Sequence, residues 1–429
     1  MKQARITFLG DALCNPPMLE GYETGGGYDF RPVFAPLRDL FSQSDLVVAN
    51  LETPLSPDGA DLTYEKWRFN SPRAYAEALQ WAGVGFVTTA NNHCLDRGTA
   101  GVAATVRVLD ELGLPHTGTF ADPESAARPA IADAGGFRLG ILSYTYGTNA
   151  FSNREYLKPE ESFMVNLLQE QELSDPRARA WLEDPQSPEG RAYEQMERRR
   201  GPENLTLPVY ERIEPHEARL ARLADDIARL RAAGPDLVAF GMHAGGQNNP
   251  AATPRTKDLA AFALAHGVDL VVGNHEHVVH GGDFSRLREG KLAAYCLGDL
   301  VSSAFLWADI PGFDEPPPRV AFDIAWHVDL DRGPDGAARV AGSSFTVLVR
   351  RKGARPGQIV VHPAAELWRS LPAGAEKDAL AADIRGTAAT FAGRPFDDAP
   401  IADEYPVRER PAPPRSASAT RSGLQRRET

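Results

Sequence analysis

The chain has 429 residues, with 46 Lys and Arg against 58 Asp and Glu, and so a formal net charge of −12. Its hydrophobic content of 42% and charged content of 24% are typical of a folded globular protein and exclude a disordered one. The acidic balance argues against nucleic acid and membrane surfaces as partners, because both are bound through an excess of Lys and Arg. The length fits two or three ordinary domains, or one large α/β domain with insertions.

The beginning of the chain carries no pattern of a leader or a membrane anchor. Its apolar run over 6–9 is too short for a signal sequence, and no later run approaches the roughly 20 apolar residues of a membrane span. The three cysteines, Cys14, Cys94 and Cys296, are far apart and form no CxxC pair, which excludes a disulfide scaffold and a cysteine-rich zinc module. We expect a soluble cytoplasmic protein without a membrane anchor.

Short β-branched runs alternate with helical patterns along the first half of the chain and again after residue 210. Buried strands are predicted over 4–10, 45–51, 84–90, 137–144, 236–243, 268–275 and 291–299. Helices are predicted over 72–82, 99–112 and 214–233, the last from apolar residues at spacings of three and four. Strands that alternate with helices predict α/β layers around a mostly parallel core.

The stretch 152–207 interrupts this alternation. It is rich in Glu, Arg, Gln and Pro, which predicts a helical or irregular insertion, either a solvated excursion or a segment that shapes access to a site. Residues 319–350 alternate like antiparallel strands of a second sheet. We therefore predict a catalytic domain over 1–350, an extension packed on it over 351–404, and a disordered tail over 405–429.

Polar residues follow the predicted strands at the points where the strands end. In chain order they are Asp11, Glu52, Asn92 with His93 and Asp96, His243, and His275 with His277. A single polar residue at a strand end is usually a turn or cap residue, but a series at successive strand ends is hard to explain that way. Because ligands of α/β sheets bind at the carboxyl ends of the strands, these side chains predict one functional site.

In these segments the chain resembles the CapA family of calcineurin-like metallophosphatase-fold proteins. The resemblance is carried by FLGDALC, VVANLETPLS, YEKWRFNSPRAYAEAL, ANNHCLDRG, GMHAGG, VVGNHEHVVHG and CLGDL, which span about residues 5–305. It implies an α/β fold in which a two-sheet sandwich is flanked by helices and holds metal at the C-terminal ends of its strands. It also implies a metal shell of Asp11, Glu52, Asn92, His243, His275 and His277, with His93 as the acid/base residue oriented by Asp96.

The chemistry of these side chains supports the same site. Carboxylate, amide and imidazole ligands suit Ca²⁺, Mn²⁺, Zn²⁺, Fe²⁺ or Mg²⁺ and need no thiolate. Asp96 follows His93 by three residues, close enough to bond its ring across a turn, and a His held by a carboxylate is a positioned proton carrier. The alternative is that residues 91–96 only cap the following helix, which leaves His93 without a role. One or two divalent ions are expected.

The sequence also departs from the family pattern. Asp11 is followed by Ala12 and Leu13 where many calcineurin-like phosphatases have Asp-x-His, so one metal position lacks its usual imidazole. The usual His-Pro-His is His-Glu-His over 275–277, and the usual Leu-Gly-Asn ends in Asp299, which adds a carboxylate near the site. These departures weaken the case for ordinary two-metal phosphate hydrolysis.

Three cations near Trp67 form a second candidate feature. Lys66, Arg68 and Arg73 could bind a substrate carboxylate or phosphate. A solvated surface above a buried Trp67 is an equally good interpretation. We predict these residues as substrate-binding.

Three functions fit the motifs. One is a metallophosphatase or phosphodiesterase, and another is a capsule-type CapA protein associated with poly-γ-glutamate. The third follows a branch of the fold linked to lasso-peptide biosynthesis, in which the Cα of the C-terminal residue of a precursor peptide is epimerised. Proton abstraction beside a carboxylate needs a base, an acid and a stabilising cation.

The absence of an anchor pattern and the departures in the motifs favour the third function, with a peptide as the substrate. The sequence supplies His93 with Asp96 as one acid/base pair, and Asp11 with His277 is predicted as the second.

Overall fold

The computed structural model describes residues 3–63, 68–153, 155–169, 180, 184–198, 217–302 and 319–407. Its strands are β1 (Gln3–Ala12), β2 (Glu23–Thr24), β3 (Gly27–Tyr28), β4 (Leu46–Leu51), β5 (Leu55–Ser56), β6 (Ser71–Pro72), β7 (Phe86–Thr88), β8 (His116–Thr117), β9 (Ala130–Ala134), β10 (Phe137–Thr145), β11 (Leu237–His243), β12 (Leu270–Asn274), β13 (Gly282–Arg286), β14 (Lys291–Ala294), β15 (Phe322–Arg332), β16 (Ala338–Lys352), β17 (Ile359–Pro363) and β18 (Tyr405–Pro406). The α-helices are Pro16–Tyr22, Arg31–Phe34, Arg38–Phe41, Arg73–Ala82, Gly98–Leu112, Pro123–Ala127, Ala150–Asn153, Pro188–Arg198, Glu217–Ala232, Pro254–Ala265, Ala364–Ser370 and Ala375–Ala392.

Two large sheets form the framework. The first has eight strands in the order β17-β16-β15-β1-β4-β7-β8, with β18 beside β16. The second has six strands in the order β13-β14-β12-β11-β10-β9. In the first sheet β1 pairs parallel with β4 and antiparallel with β15, and in the second β10, β11, β12 and β14 run parallel. The parallel core that the sequence predicts is therefore divided between two sheets.

The central strands are apolar because helices and the opposite sheet cover both of their faces. Every residue of β4, β11 and β12 is buried. One core cluster joins the facing sides of the two sheets, with Ile6 and Val48 from the first and Ile141 and Val272 from the second. The fold class implied by the resemblance is confirmed: the molecule is an α/β sandwich of two sheets with helices on the outer faces.

The strands after residue 319 occupy a different place from the one predicted. They are antiparallel, as their alternation indicates, but they extend the first sheet and do not form a separate second one. Trp326 on β15 packs on Phe8 of β1, with ring centroids 5.5 Å apart. Both rings are buried in the core between the two sheets, and this packing stabilises β15 beside β1.

The domain boundary predicted at residue 350 is wrong, because β16 continues to Lys352 and β17 then adds a further strand to the same sheet. The helix Ala375–Ala392 supplies Ile384 and Phe391 to the central core. The predicted tail also begins too early, since β18 pairs with β16. Residues 408–429 of the predicted tail lie outside the described residues.

The first part of the predicted insertion packs on the body of the molecule. Met164, Val165 and Leu167 form a small apolar cluster with Leu95 and Val102. Leu95 belongs to the turn that carries His93 and Asp96, so the cluster connects this turn to the insertion. Residues 154, 170–179, 181–183 and 199–207 of the insertion lie outside the described residues. In the part of the chain that the structure describes, no helix is both long and apolar enough to cross a membrane.

Candidate metal and acid–base site

Polar side chains from both sheets meet at the carboxyl ends of the parallel strands. Asp11 near the end of β1 lies in register with Asn50 of β4, and His243 at the end of β11 lies in register with Asn274 of β12. Asn50 donates from Nδ2 to Asp11 Oδ1 at 2.7 Å. The apolar residues of each strand are buried in the core. The polar residues at the carboxyl ends of the strands therefore lie together at this edge of the two sheets.

Five of the predicted ligands form two overlapping groups. One group is Glu52, His243 and His275, and the other is Asp11, Glu52 and His277; in each group the candidate ligand atoms lie within 4.8 Å of one another. All five side chains are buried. The sixth predicted ligand, Asn92, places its Oδ1 2.7 Å from Nε2 of His243. The structure therefore brings all six side chains together.

The buried carboxylates of this group suit a divalent cation. Neither carboxylate oxygen of Glu52 has a hydrogen-bond partner, although His243 Nε2 lies 3.4 Å from Oε1. Burial, together with the charge of Glu52, raises the pKa of Asp11 to about 8, and burial raises the pKa of Glu52 to about 7. A cation would satisfy the orphaned oxygens and offset the repulsion between the two carboxylates.

Two imidazoles of the group, those of His243 and His275, are in the neutral form that binds metals. Burial lowers the pKa of His243 to about 3 and lowers that of His275 well below its ordinary value, so both rings are neutral. Two carboxylates with neutral imidazoles and an amide oxygen form a donor set for Mn²⁺, Zn²⁺, Fe²⁺, Mg²⁺ or Ca²⁺. Burial raises the pKa of Cys14 and Cys94 to about 12, so these thiols are not thiolate ligands.

The predicted pair of His93 and Asp96 is formed. His93 Nδ1 lies 2.7 Å from Asp96 Oδ2, and Phe69 stacks on the His93 ring with centroids 4.2 Å apart. The backbone N–H of Phe69 and the side-chain amide of Asn153 also donate to the Asp96 carboxylate, at 2.8 and 2.7 Å. Burial opposes protonation of His93, but the Asp96 carboxylate outweighs it, and the pKa of His93 is raised.

The second predicted pair, Asp11 with His277, meets in one candidate ligand group, but the carboxylate that bonds to the His277 ring is a different one. His277 Nδ1 bonds to Asp299 Oδ1 at 2.7 Å, whereas Asp11 accepts from Asn50 and from the backbone N–H of His275. Burial lowers the pKa of His277, but Asp299 more than reverses this effect and raises it to about 10. The loop that carries Asp299 runs alongside the end of β1, with Asp11 N–H donating to Gly298 O at 3.1 Å and Val301 in a parallel bridge with Ala12. This pairing brings the Asp299 carboxylate to His277.

Two half-buried amide side chains stand beside the two histidines. Asn149 Nδ2 lies 3.1 Å from His93 Nδ1, and Gln247 Nε2 lies 3.4 Å from His277 Nε2. Both residues follow strands of the second sheet, β10 and β11, and both are more exposed than the buried ligands. Neither Asn149 nor Gln247 is among the site residues predicted from the sequence. Both nevertheless lie shortly after predicted strands, and His243 is predicted from the same type of position. They mark the open side of the site.

The backbone around His275 and His277 is strained. His275, His277 and Asn248 have φ values of 95°, 59° and 64°, in the region that non-glycine residues seldom adopt. The buried Glu276 carboxylate accepts from the backbone N–H of Gly246 at 3.0 Å, and Glu276 O accepts from Asn248 N–H at 2.8 Å. Such strain persists where the surroundings fix it, and it often accompanies functional sites.

The predicted substrate-binding cations are placed differently from one another. Arg68 donates from Nε to the carbonyl of Asp96 at 2.7 Å, so it supports the turn that carries His93. The Arg73 guanidinium pairs with Glu77 and Glu111 on the surface of two helices. Arg73 is therefore already paired away from the strand-end residues, which gives no support to its predicted role. Lys66 and Trp67 lie outside the described residues.

The fold and the site define an α/β two-sheet protein with a candidate metal centre at its strand ends. The family model described as bacterial capsule synthesis protein PGA_cap matches residues 5–304, and the chain belongs to this family. The fold is accordingly the calcineurin-like sandwich of the CapA proteins.

Relatives in the comparison agree with this family. The chain is 22% identical over 301 residues to the capsule biosynthesis protein CapA of Bacillus anthracis, covering 69% of this chain and 59% of the relative. It is 26% identical over 148 residues to the uncharacterized protein y4sH of Sinorhizobium fredii, covering 32% of this chain and 29% of the relative. The matches thus span less than two thirds of these relatives. They support the capsule-type alternative better than the epimerase interpretation.

Proposed function

We propose that this chain is a metal-dependent acid/base enzyme of capsule-type synthesis that acts on the amide bonds of an acidic, glutamate-type polymer. The observation that carries the proposal is the His93–Asp96 pair beside the five clustered ligand candidates, in a chain of the capsule synthesis family. The residues that would hold the ion are Asp11, Glu52, Asn92, His243, His275 and His277. A bound divalent ion would act as a Lewis acid toward a substrate oxygen.

The His93–Asp96 pair supplies the proton transfer in this proposal. Because Asp96 holds Nδ1, Nε2 is the nitrogen left to exchange a proton with substrate. Phe69 stacks on the ring and Arg68 supports the backbone of Asp96, so both members of the pair keep their orientation. Asn149 and Gln247, at the open side, are placed to bind peptide carbonyl or carboxylate groups of the substrate.

A specific observation also supports a second candidate function, epimerisation of the C-terminal Cα of a lasso-type precursor peptide. The site contains two His–carboxylate pairs, His93 with Asp96 and His277 with Asp299. Both histidines act on the pKa of Glu52, so both lie near the same carboxylate. Inversion at a carbon needs one group that removes a proton and another that returns it, and two such pairs meet that requirement.

One experiment separates these functions. The metal content of the purified protein is measured, and the Mn²⁺-loaded protein is incubated in D₂O with γ-glutamyl oligomers, with candidate peptides and with an aryl phosphate. Mass spectrometry then follows the products. A change in oligomer length that needs His93 and the metal supports the capsule-type proposal. A gain of about one dalton in a peptide of unchanged length, from replacement of one proton by deuterium, would replace it with epimerisation. Phosphate release alone would indicate a metallophosphatase.

A further inference from the structure

A buried arginine from beyond the family-matched segment reaches the site. Arg350 lies on β16 and is 1% exposed, whereas the family match ends at residue 304. Its Nη1 donates to Asp299 Oδ2 at 3.0 Å, and its Nε donates to Asp323 Oδ2 at 3.0 Å. A fully buried guanidinium between two carboxylates is costly to desolvate and is retained only where its pairing is complete. This pairing includes the carboxylate that holds His277.

The contacts of Asp299 fix its side chain on both sides. Oδ1 bonds to His277 Nδ1 at 2.7 Å. Oδ2 accepts from Arg350 and from the Ser302 hydroxyl. Arg350 holds Oδ2 and so fixes the direction of the Asp299 carboxylate. The place of Oδ1 is then fixed as well, and the His277 ring must take one orientation to bond to it. The orientation of that ring therefore depends on the guanidinium.

Asp323 on β15 holds the backbone of the same residue. Its Oδ1 accepts from Asp299 N–H at 2.7 Å, and its carboxylate is paired with Arg350. Arg350 and Asp323 thus hold Asp299 at the side chain and at the main chain together. A lysine would not replace this arrangement, because its single nitrogen cannot present the planar fork that contacts two carboxylates at once.

We propose that Arg350 is a positioning residue of the site: by fixing Asp299 it sets the ring of His277 so that Nε2 faces the metal and the substrate. The proposal rests on the proposed function in treating His277 as a site residue. It makes the strands after residue 319 part of the working site, although they lie outside the matched segment.

The test compares Arg350→Met and Arg350→Lys with wild type. A control is Arg332→Met: Arg332 on the neighbouring strand β15 makes a two-point pair with Asp236, which precedes β11, whereas the ligand candidate His243 is at the other end of that strand. The measurements are Mn²⁺ affinity of the metal-stripped protein by calorimetry, the ¹⁵N signals of the His277 ring by NMR, and circular dichroism for folding. None of them uses a substrate, so failure of the proposed enzymatic activity leaves the test intact.

The Arg350 variants should weaken Mn²⁺ binding by about 10- to 100-fold and shift the His277 signals, and Arg332→Met should change neither. Folded Arg350 variants with wild-type Mn²⁺ affinity and wild-type His277 signals would overturn the proposal. If the Arg350 variants do not fold, Asp299→Asn breaks the same connection from its other end while Asp323 still pairs with Arg350. Unchanged Mn²⁺ affinity and His277 signals in Asp299→Asn would equally overturn it.

Discussion

Oδ1 of Asn92 lies 2.7 Å from Nε2 of His243, and this contact joins the two sheets of the sandwich. Asn92 follows β7 of the first sheet, and His243 ends β11 of the second. The remaining ligand candidates are divided in the same way: Asp11 lies on β1 and Glu52 follows β4 of the first sheet, whereas His275 and His277 follow β12 of the second. An ion bound here would therefore be held by both sheets, and its binding energy would add to the stability of the whole fold.

Glu52→Gln should change stability in opposite directions with and without metal. Without metal, Glu52 buries two carboxylate oxygens that have no hydrogen-bond partner, so removal of its charge should stabilise the protein by about 1–3 kcal/mol. With saturating Mn²⁺, loss of a carboxylate ligand should lower the melting temperature relative to wild type. Calorimetry of wild type and Glu52→Gln, each with and without Mn²⁺, measures this change of sign in the melting-temperature difference.

Glu77→Gln is the matched control for that comparison. Glu77 pairs with Arg73 on an exposed helix surface, where an ion pair contributes little to stability. The melting temperature of Glu77→Gln should therefore rise with Mn²⁺ by the same amount as that of wild type. Destabilisation of metal-free Glu52→Gln would contradict the metal assignment.

His93→Gln should reduce kcat by about 10²- to 10⁴-fold, the usual contribution of a general acid or base. KM should change little, because the ring is buried and stacked under Phe69 and so offers little surface for substrate binding. The substrate is the one identified in the D₂O incubation, and kcat and KM are measured at saturating Mn²⁺. His266→Gln serves as the control, since His266 bonds to the backbone of its own helix at Phe262. A rise in KM alone would assign His93 to binding.

Gly10→Ala should destabilise the protein by about 1–3 kcal/mol. A Cβ at position 10 would lie 1.9 Å from the carbonyl oxygen of Gly298, so the loop that carries Asp299 would have to move. Mn²⁺ affinity should fall as well, because His277 is bonded to Asp299. Gly26→Ala is the control, since a Cβ there meets nothing within 4 Å. Chemical denaturation of both variants measures the difference, and equal stability would argue against the close approach.

Acid should destabilise the protein in part through His327. This ring lies between the hydroxyls of Thr7 and Thr346, at 2.7 and 3.1 Å, and burial lowers its pKa to about 4. The ordinary pKa in the unfolded chain is about 6.5, so the unfolded chain takes up the proton first. The contribution of His327 to stability is therefore full above about pH 6.5 and is lost as the pH falls toward 4, by at most about 3 kcal/mol.

Denaturant unfolding of wild type and His327→Gln across this pH range measures the effect. The stability difference between the two proteins should shift in favour of the variant as the pH falls. A pH-independent stability difference would show that the pKa of His327 is the same in the folded and unfolded states. Both proteins must carry the same metal load, because His243 and His275 are also held neutral.

The parts of the site that follow a strand could be predicted from the sequence, because an apolar run that ends in a polar residue fixes where the residue lies. Asp11, Glu52 and His243 are examples. The partner of His277 could not be predicted, because it depends on how the loop at Gly298 pairs with the end of β1, a contact between residues far apart in the chain. Arg350 carries no local signal at all: it is one of several arginines in its segment, and only the packed sheet buries it.

The antiparallel strands after residue 319 show the same limit. Their alternation predicts the type of pairing, because it reflects one buried and one less buried face. It does not identify the neighbouring strand, which is chosen by packing such as that of Trp326 on Phe8. Sheet membership is therefore a property of the folded core.

The position of β1 has a consequence for how the chain folds during synthesis. β1 lies inside the first sheet, and one of its two neighbours is β15, so that Ile6 pairs with Val328. Until the ribosome has released residues beyond 332, one side of β1 has no partner and exposes an unpaired strand edge, which invites aggregation. Contacts of such long sequence separation also slow folding. Nascent chains that stop before β15 should accordingly depend on chaperones, even though they already contain every candidate metal ligand.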